Sequence, residues 1–442
     1  MSPTFTSFEV RNYRIWFAGA LVSNVGTWMG RVGQDWLVLT VLTAGSATAL
    51  GVVTGLQFLP FLLLAPWAGL IADRFPKRRT LLLTQTMLAV SSLLLGVLAV
   101  TGLAQLWHVY VIALLQGVTT AIDNPARQAF VSEMVPNDKL ANAVSLNSAS
   151  FNLGRLIGPG VAGLVIAAWG TGQALLLNTV TFVFVIAALL LLRANELKPA
   201  PLAKARGGIR EGFSYVRNRG DLQLVMLLVF VLGTFGMNFQ ITMALMATKV
   251  FDKGAGEFGL LGSIMAIGSL SAALFSARRK VPRLRVLLIS LAAFTVVATV
   301  AAMAPTYWTF ALALVPVGFS ALTALTTANA MVQTRVAPEM RGRVMALYMA
   351  IFMGGTPAGA PLIGWISETF GPRWTIGIGA VAMGITLVGV SVWLARSQNV
   401  RVSYESQRRP RVRVAVTSLP TPATAIAPVP EPARWPRCSG GG

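Results

Sequence analysis

What most constrains this chain is a succession of about twelve apolar runs, each long enough to cross roughly 30 Å of hydrocarbon as a helix. They centre on residues 14–42, 49–72, 80–101, 106–126, 142–168 and 172–192, then on 222–248, 257–277, 285–303, 306–330, 344–367 and 374–395. A bilayer core offers no water to backbone polar groups, so runs of this length fold as helices. The expected class is an all-α polytopic membrane protein with twelve transmembrane helices in two pseudo-symmetric six-helix halves. Only 12% of residues are charged, against roughly 25% in a soluble globular average. The amino terminus lacks a short apolar core followed by a small-residue cleavage site, so the first run is expected to be retained.

A net charge of +21 could belong to a nucleic-acid binder, but the placement of that charge argues otherwise. One set of alternate loops holds only Lys249, Lys253 and Arg373, and Arg31 and Arg155 lie inside apolar runs. All other Lys and Arg fall in the opposite loops and the two termini. That asymmetry predicts a multi-pass protein of the inner (cytoplasmic) cell membrane with both termini in the cytoplasm. Attraction to anionic lipid headgroups follows as a side effect, and no nucleic-acid partner is expected.

The longest internal connection carries seven basic residues and two prolines, and it divides the chain. The expected organisation is an N-terminal half (1–192), a cytoplasmic linker (193–221), a C-terminal half (222–396) and a tail (397–442). The tail is basic and rich in Pro and Ala, cannot bury a core, and is expected to be disordered. A shift of 201 residues lays Val135, Asp138, Leu146, Gly154, Gly158 and Gly163 on Val336, Glu339, Leu347, Gly355, Gly359 and Gly364. The same shift lays Lys77, Arg78 and Arg79 on Arg278, Arg279 and Lys280. Two parallel repeats with a site between them near the midplane is a known transporter arrangement.

Charges inside the apolar runs mark the candidate site. Asn24, Thr27, Arg31 and Asp35 step by three or four residues, so a helix aligns them on one face. A charge at bilayer depth costs roughly 2.5–3.5 kcal/mol on insertion scales and so faces protein or a watery cavity. Two readings stay open: an Arg31–Asp35 pair that neutralises itself, or a proton- or substrate-handling pair on a pathway. Arg155 lies at similar depth, and two arginines against one carboxylate suit an anionic or phenolic substrate. Alternatively Asp35 exchanges a proton while the arginines set its affinity; burial and a guanidinium act on that affinity in opposite directions. Gln34, Gln116, Asn238 and Asn329 are further polar groups at cavity depth. Trp16, Trp28, Trp36 and Trp67 either line a pocket or pack between helices. His108 reads as structural or interfacial, and the lone Cys438 excludes a disulfide framework or a cysteine metal site.

After the second run comes Gly69-Leu-Ile-Ala-Asp73-Arg74-Phe-Pro-Lys77-Arg78-Arg79. This resembles the signature of the major facilitator superfamily between its helices 2 and 3, with Pro76 in place of the usual glycine. The resemblance implies that Gly69, Asp73, Arg74 and Arg78 gate conformational change, with Arg127 as a partner of the loop; a plain basic anchor explains Lys77, Arg78 and Arg79 alone. In helix 5, Gly154, Gly158, Pro159 and Gly163 are similar to the family's antiporter motif, which implies export. The family's drug–proton antiporters carry an arginine three residues before a Gln-Gly pair in helix 4; here Ala113 stands before Gln116-Gly117. Residues 123–128 and 131–142, expected as an amphipathic internal loop, resemble, with residues 11–14 and 36–39, the bacterial branch that includes the enterobactin exporter.

No phosphate loop, nucleophile elbow or metal cluster is present in the sequence, so an enzyme is not expected. The expected function is secondary export of small amphipathic molecules, drugs or a siderophore-like metabolite. Proton antiport would drive it, with the proton gradient as energy source, no cofactor, and a monomer as the working unit. Proton-coupled uptake is one alternative; a non-transporting receptor or scaffold using the basic tail is the other.

Overall fold

The first helix, α1 (Arg11–Trp36), runs on through a wide π-type turn (Leu37–Leu42) before the chain reverses. The computed structural model describes residues 3–198, 209–277, 279, 282–397, 401–405 and 411–415. For 3–4, 65–73, 209–210, 277, 338–339, 395–397 and the last two segments it describes the backbone alone. The first half continues through α2 (Ala47–Arg74), α3 (Lys77–Val100), α4 (Leu106–Met134), α5 (Asn137–Trp169) and α6 (Thr171–Leu191). A short amphipathic helix, α7 (Ile209–Arg217), leads into the second half. There α8 (Gly220–Val231) and α9 (Phe239–Leu245) share one span, followed by α10 (Ala255–Ala277), α11 (Leu284–Ala302) and α12 (Tyr307–Arg335). Another broken span, α13 (Pro338–Gly354) and α14 (Thr356–Phe370), precedes α15 (Trp374–Ser397).

Eleven spans are long and apolar enough to cross a membrane among the described residues. The twelfth is α1 with its π turn, which Arg31 and Asp35 make more polar than the rest. The chain is therefore an all-α membrane protein of twelve spans. By compactness it divides into Met1–Leu387 and Val388–Gly442. In the second unit two strands, β1 (Arg401–Glu405) and β2 (Arg411–Ala415), pair antiparallel with Arg401 opposite Ala415. The sequence reading expects no order there; the valines at 402, 412 and 414 give the strands an alternating pattern.

Within the first unit the repeat of 201 residues is visible in packing. In the first half α5 lies against α1 and reaches across to α10; in the second, α14 lies against the π turn after α8 and reaches across to α2. Glycines at equivalent positions permit both crossings: Gly154 and Gly158 face α1, and Gly355 and Gly359 face Thr234. Helix association in lipid relies on such close backbone approach, since lipid tails are as apolar as leucine.

Two spans expected as continuous are interrupted. Residues 220–250 break at Met237–Asn238, where the Asn238 side chain donates to the Thr234 carbonyl at 2.8 Å. The span expected at 344–367 breaks at Gly355, just before Pro357. Pro357 lacks the N–H that would continue the ladder, and its ring opposes the preceding turn.

The stretch expected as an internal loop over 123–142 is helical instead: α4 continues to Met134, and α5 starts at Asn137. Its amphipathic pattern is the reason. Phe130, Val131 and Met134 are buried with Tyr13 and Trp16, and the Tyr13 hydroxyl donates to the Ala143 carbonyl at 2.8 Å. At the opposite end of α4, His108 Nδ1 accepts the Gln105 N–H at 3.0 Å, so this histidine caps a helix.

Candidate functional site

Two adjoining cavities lie among the helices. The first, about 260 Å³, is walled chiefly by α1, α2, α3, α4 and α6. The second, about 400 Å³, is walled by α1, α2 and α5 from one half and by the π turn after α8, α9, α10 and α12 to α14 from the other. Trp28 and Arg31 line both.

The first cavity is the polar one. Asn24, Arg31, Gln34 and Gln116, all singled out in the sequence, are on its wall. Asn24 donates to Ser150 Oγ at 3.0 Å, while Gln34 is 2% exposed and its Nε2 has no partner among the described residues. A hub that the sequence reading did not assign sits beside them. Asp123, 3% exposed, accepts from Thr84 Oγ1 at 2.6 Å and Gln85 Nε2 at 2.7 Å, and pairs with Arg127 at 3.0 Å. Arg127 also stands over the Trp16 ring, 5.7 Å from its centroid. One signal was available: Gln116, Thr120, Asp123 and Arg127 step by four, three and four along a helix. Placing Asp123 and Arg127 in a loop hid it.

The second cavity is the apolar one, with phenylalanines from both halves and methionines from the second. Its charged lining residues are Arg31 and Arg155. The Trp28 ring has the Arg31 guanidinium 5.1 Å and the Arg155 guanidinium 5.6 Å from its centroid, within cation–π range. Asn238 also faces this cavity, and its Oδ1 has no partner among the described residues. Asn329 lines neither cavity; it accepts from Gln333 at 2.5 Å on its own helix.

Asp35 is 4% exposed and on neither wall, and its Oδ2 has no hydrogen-bond partner among the described residues. No Arg31–Asp35 ion pair forms within 4 Å among the described residues. Arg31 stands over Trp28 instead, so the two charges are not in direct contact. Of the other tryptophans, Trp36 stacks on Phe258 across the halves at 5.8 Å, and the Trp67 side chain lies outside the described residues.

In the candidate gate, the side chains of Gly69 and Asp73 lie outside the described residues, and Arg74 is exposed. Arg78 donates to the Leu189 and Leu190 carbonyls at 2.8 and 3.1 Å, satisfying the end of α6. Lys77 pairs at 3.5 Å with Glu133 of α4, both side chains nearly buried. A basic anchor at the bilayer surface accounts for neither. At the other end of the bundle Glu368 accepts from Ser46 Oγ, Thr48 N and Thr48 Oγ1 at 2.8, 3.0 and 2.7 Å, tying the loop before α2 to α14.

The helix 5 motif has a concrete packing role. A methyl group on Gly158 would lie 2.6 Å from Trp28 Cβ and 2.8 Å from the Val25 carbonyl oxygen; Pro159 lines the second cavity, and Gly163 faces the backbone of Ala255 and Gly256. Gly158→Val is expected to force α1 from α5 and to lower stability by about 1–3 kcal/mol or more. Thermal unfolding of the purified protein checks this; an unchanged midpoint would show that α1 yields freely.

Residues 2–419 match the family model described as transmembrane secretion effector. The staphyloferrin A transporter of Staphylococcus aureus is 25% identical over 86% of this chain and 94% of its own length. Macrolide efflux protein A of Streptococcus pyogenes is 23% identical over 87% of this chain and 96% of its own. The solved structure of a D-xylose–proton symporter has a TM-score of 0.66 at 13% identity, covering 85% of this chain and 96% of that one, which is a likeness of fold.

Proposed function

The chain belongs to the transmembrane secretion effector family within the major facilitator superfamily, and from that premise we propose that it exports small amphipathic molecules in exchange for protons. It is a multi-pass membrane transporter. The observation that carries the reading is the cavity of about 400 Å³ walled by both halves, where alternating access places its cargo. The relatives named above are a staphyloferrin A transporter and a macrolide efflux protein, which supports export of small molecules.

The basic loops and both termini are assigned to the cytoplasm. The halves then meet at the external end, where Glu368 ties α14 to the loop before α2 and Gly163 meets α10. This corresponds to the inward-facing state, ready to load cargo from the cytoplasm. Release requires the external contacts to part and the cytoplasmic ends of the two halves to close. Asp35 is our candidate proton carrier: it is buried within a span and forms no ion pair among the described residues. Gain or loss of its charge would change the cost of that burial and bias the two states. The working unit is taken to be a monomer in a bilayer containing anionic lipid, with the proton gradient as energy source.

Everted vesicles with an imposed pH gradient test this. Substrate-dependent collapse of the gradient is expected in wild type and not in Asp35→Asn, with both inserted equally. Collapse at full rate in Asp35→Asn would move proton exchange elsewhere, first to Asp123. Deleting the residues after Ser397 is expected to leave transport intact; its loss would favour a tail-dependent scaffold.

A further inference from the structure

The charge of the second cavity points to what it carries. Arg31 and Arg155 share the Trp28 ring, and neither forms an ion pair among the described residues. The carboxylate on the first cavity's wall, Asp123, is already committed to Arg127, Thr84 and Gln85. Asp35 lines neither cavity, and the lining of the second holds no Asp or Glu. Two like charges at bilayer depth around one aromatic ring are costly unless an anion joins them. A guanidinium presents a planar fork that matches an oxyanion, and it keeps its charge at any physiological pH.

We propose that Arg31 and Arg155 form the anion seat of the cargo site, and that the cargo is an amphipath bearing a carboxylate or similar oxyanion. This deepens the exporter reading and rests on it. The oxyanion sits beside the Trp28 ring, and the apolar body lies on Phe58, Phe151, Phe352, Met237 and Met265. Methionine and phenylalanine walls adapt to different apolar shapes, so this site selects by charge more than by outline. A cationic cargo finds no counter-charge on that wall.

Binding by the full-length chain, purified in neutral detergent and measured calorimetrically without any gradient, tests the proposal. The probes are naphthoate, naphthamide and naphthylmethylammonium, which share one ring system and differ in charge. Naphthoate is expected to bind about tenfold or more tighter than naphthamide, the effect of a charge-assisted hydrogen bond, and the ammonium weakest. Arg31→Gln and Arg155→Gln should each weaken naphthoate by roughly tenfold and leave naphthamide within about twofold. Retained naphthamide binding certifies the fold of those variants. Where it is lost, Arg31→Lys and Arg155→Lys replace them and must keep the preference for naphthoate.

Equal affinity for acid and amide, tighter binding of the ammonium, no binding of naphthoate, or a preference that survives both glutamine substitutions overturns the proposal. Displacement of naphthoate by an equal concentration of phosphatidylglycerol would assign the seat to a lipid headgroup and overturn the cargo assignment. The exporter reading fails separately. Arginine-dependent naphthoate binding with no transport of any cargo removes export but leaves the seat, whereas export of cations alone removes the seat and leaves export.

Discussion

Asp123→Ala is expected to lower the stability of the purified protein by about 3–5 kcal/mol, among the largest effects of any single substitution in this chain. Asp123 is 3% exposed and accepts from two α3 side chains while pairing with Arg127. Removing it leaves a guanidinium with 17% side-chain exposure and no anion, and takes the acceptor from Thr84 and Gln85 together. Asp123→Asn keeps an acceptor for those two but not the charge, so its cost should be smaller, about 1–3 kcal/mol. Thermal unfolding in detergent, read for both variants, checks the order. Equal midpoints for alanine, asparagine and wild type would mean that water solvates Arg127 and that the hub contributes nothing to the fold.

Lys77→Met is the second. Lys77 and Glu133 are a nearly buried pair at 3.5 Å, joining the start of α3 to the end of α4. Breaking such a pair from one side strands the other charge and costs about 3–5 kcal/mol, whereas replacing both with apolar groups is often close to neutral. Lys77→Met and Glu133→Leu are therefore each expected to be strongly destabilising, with the double variant near wild type. Transport then separates gate from glue. A stable double variant that no longer transports identifies the pair as a contact the cycle needs, while one that transports normally makes it packing. A double variant whose loss equals the sum of the two single losses would show that the pair has no coupling at all.

Arg31 and Asp35 show how far the sequence reaches. Their spacing correctly put both in one span, at a depth where charge needs a partner or a cavity. The spacing alone could not say that Arg31 would turn to Trp28, because that ring's position follows from the α1–α5 approach at Gly158. Gln34 and Gln116, expected at cavity depth, line the first cavity, whereas Asn329, expected at the same depth, lines neither. Depth is legible from position in a run; rotation about the helix axis is not. The Asp123 hub was missed for another reason. The amphipathic stretch from 123 to 142 read as an internal loop, but its apolar face packs on Tyr13 and Trp16 and keeps it helical.

The sequence by itself determined the class, the twelve spans and the repeat. Each rests on chemistry local to a segment: hydrocarbon thickness fixes run length, and backbone polar groups fix the helix. Only the tertiary structure decided which charges meet, that Lys77 reaches Glu133, that Arg78 ends α6, and that two arginines share one tryptophan. Those pairings join residues many turns apart, and they depend on helix rotation and crossing that small residues permit but no single run encodes.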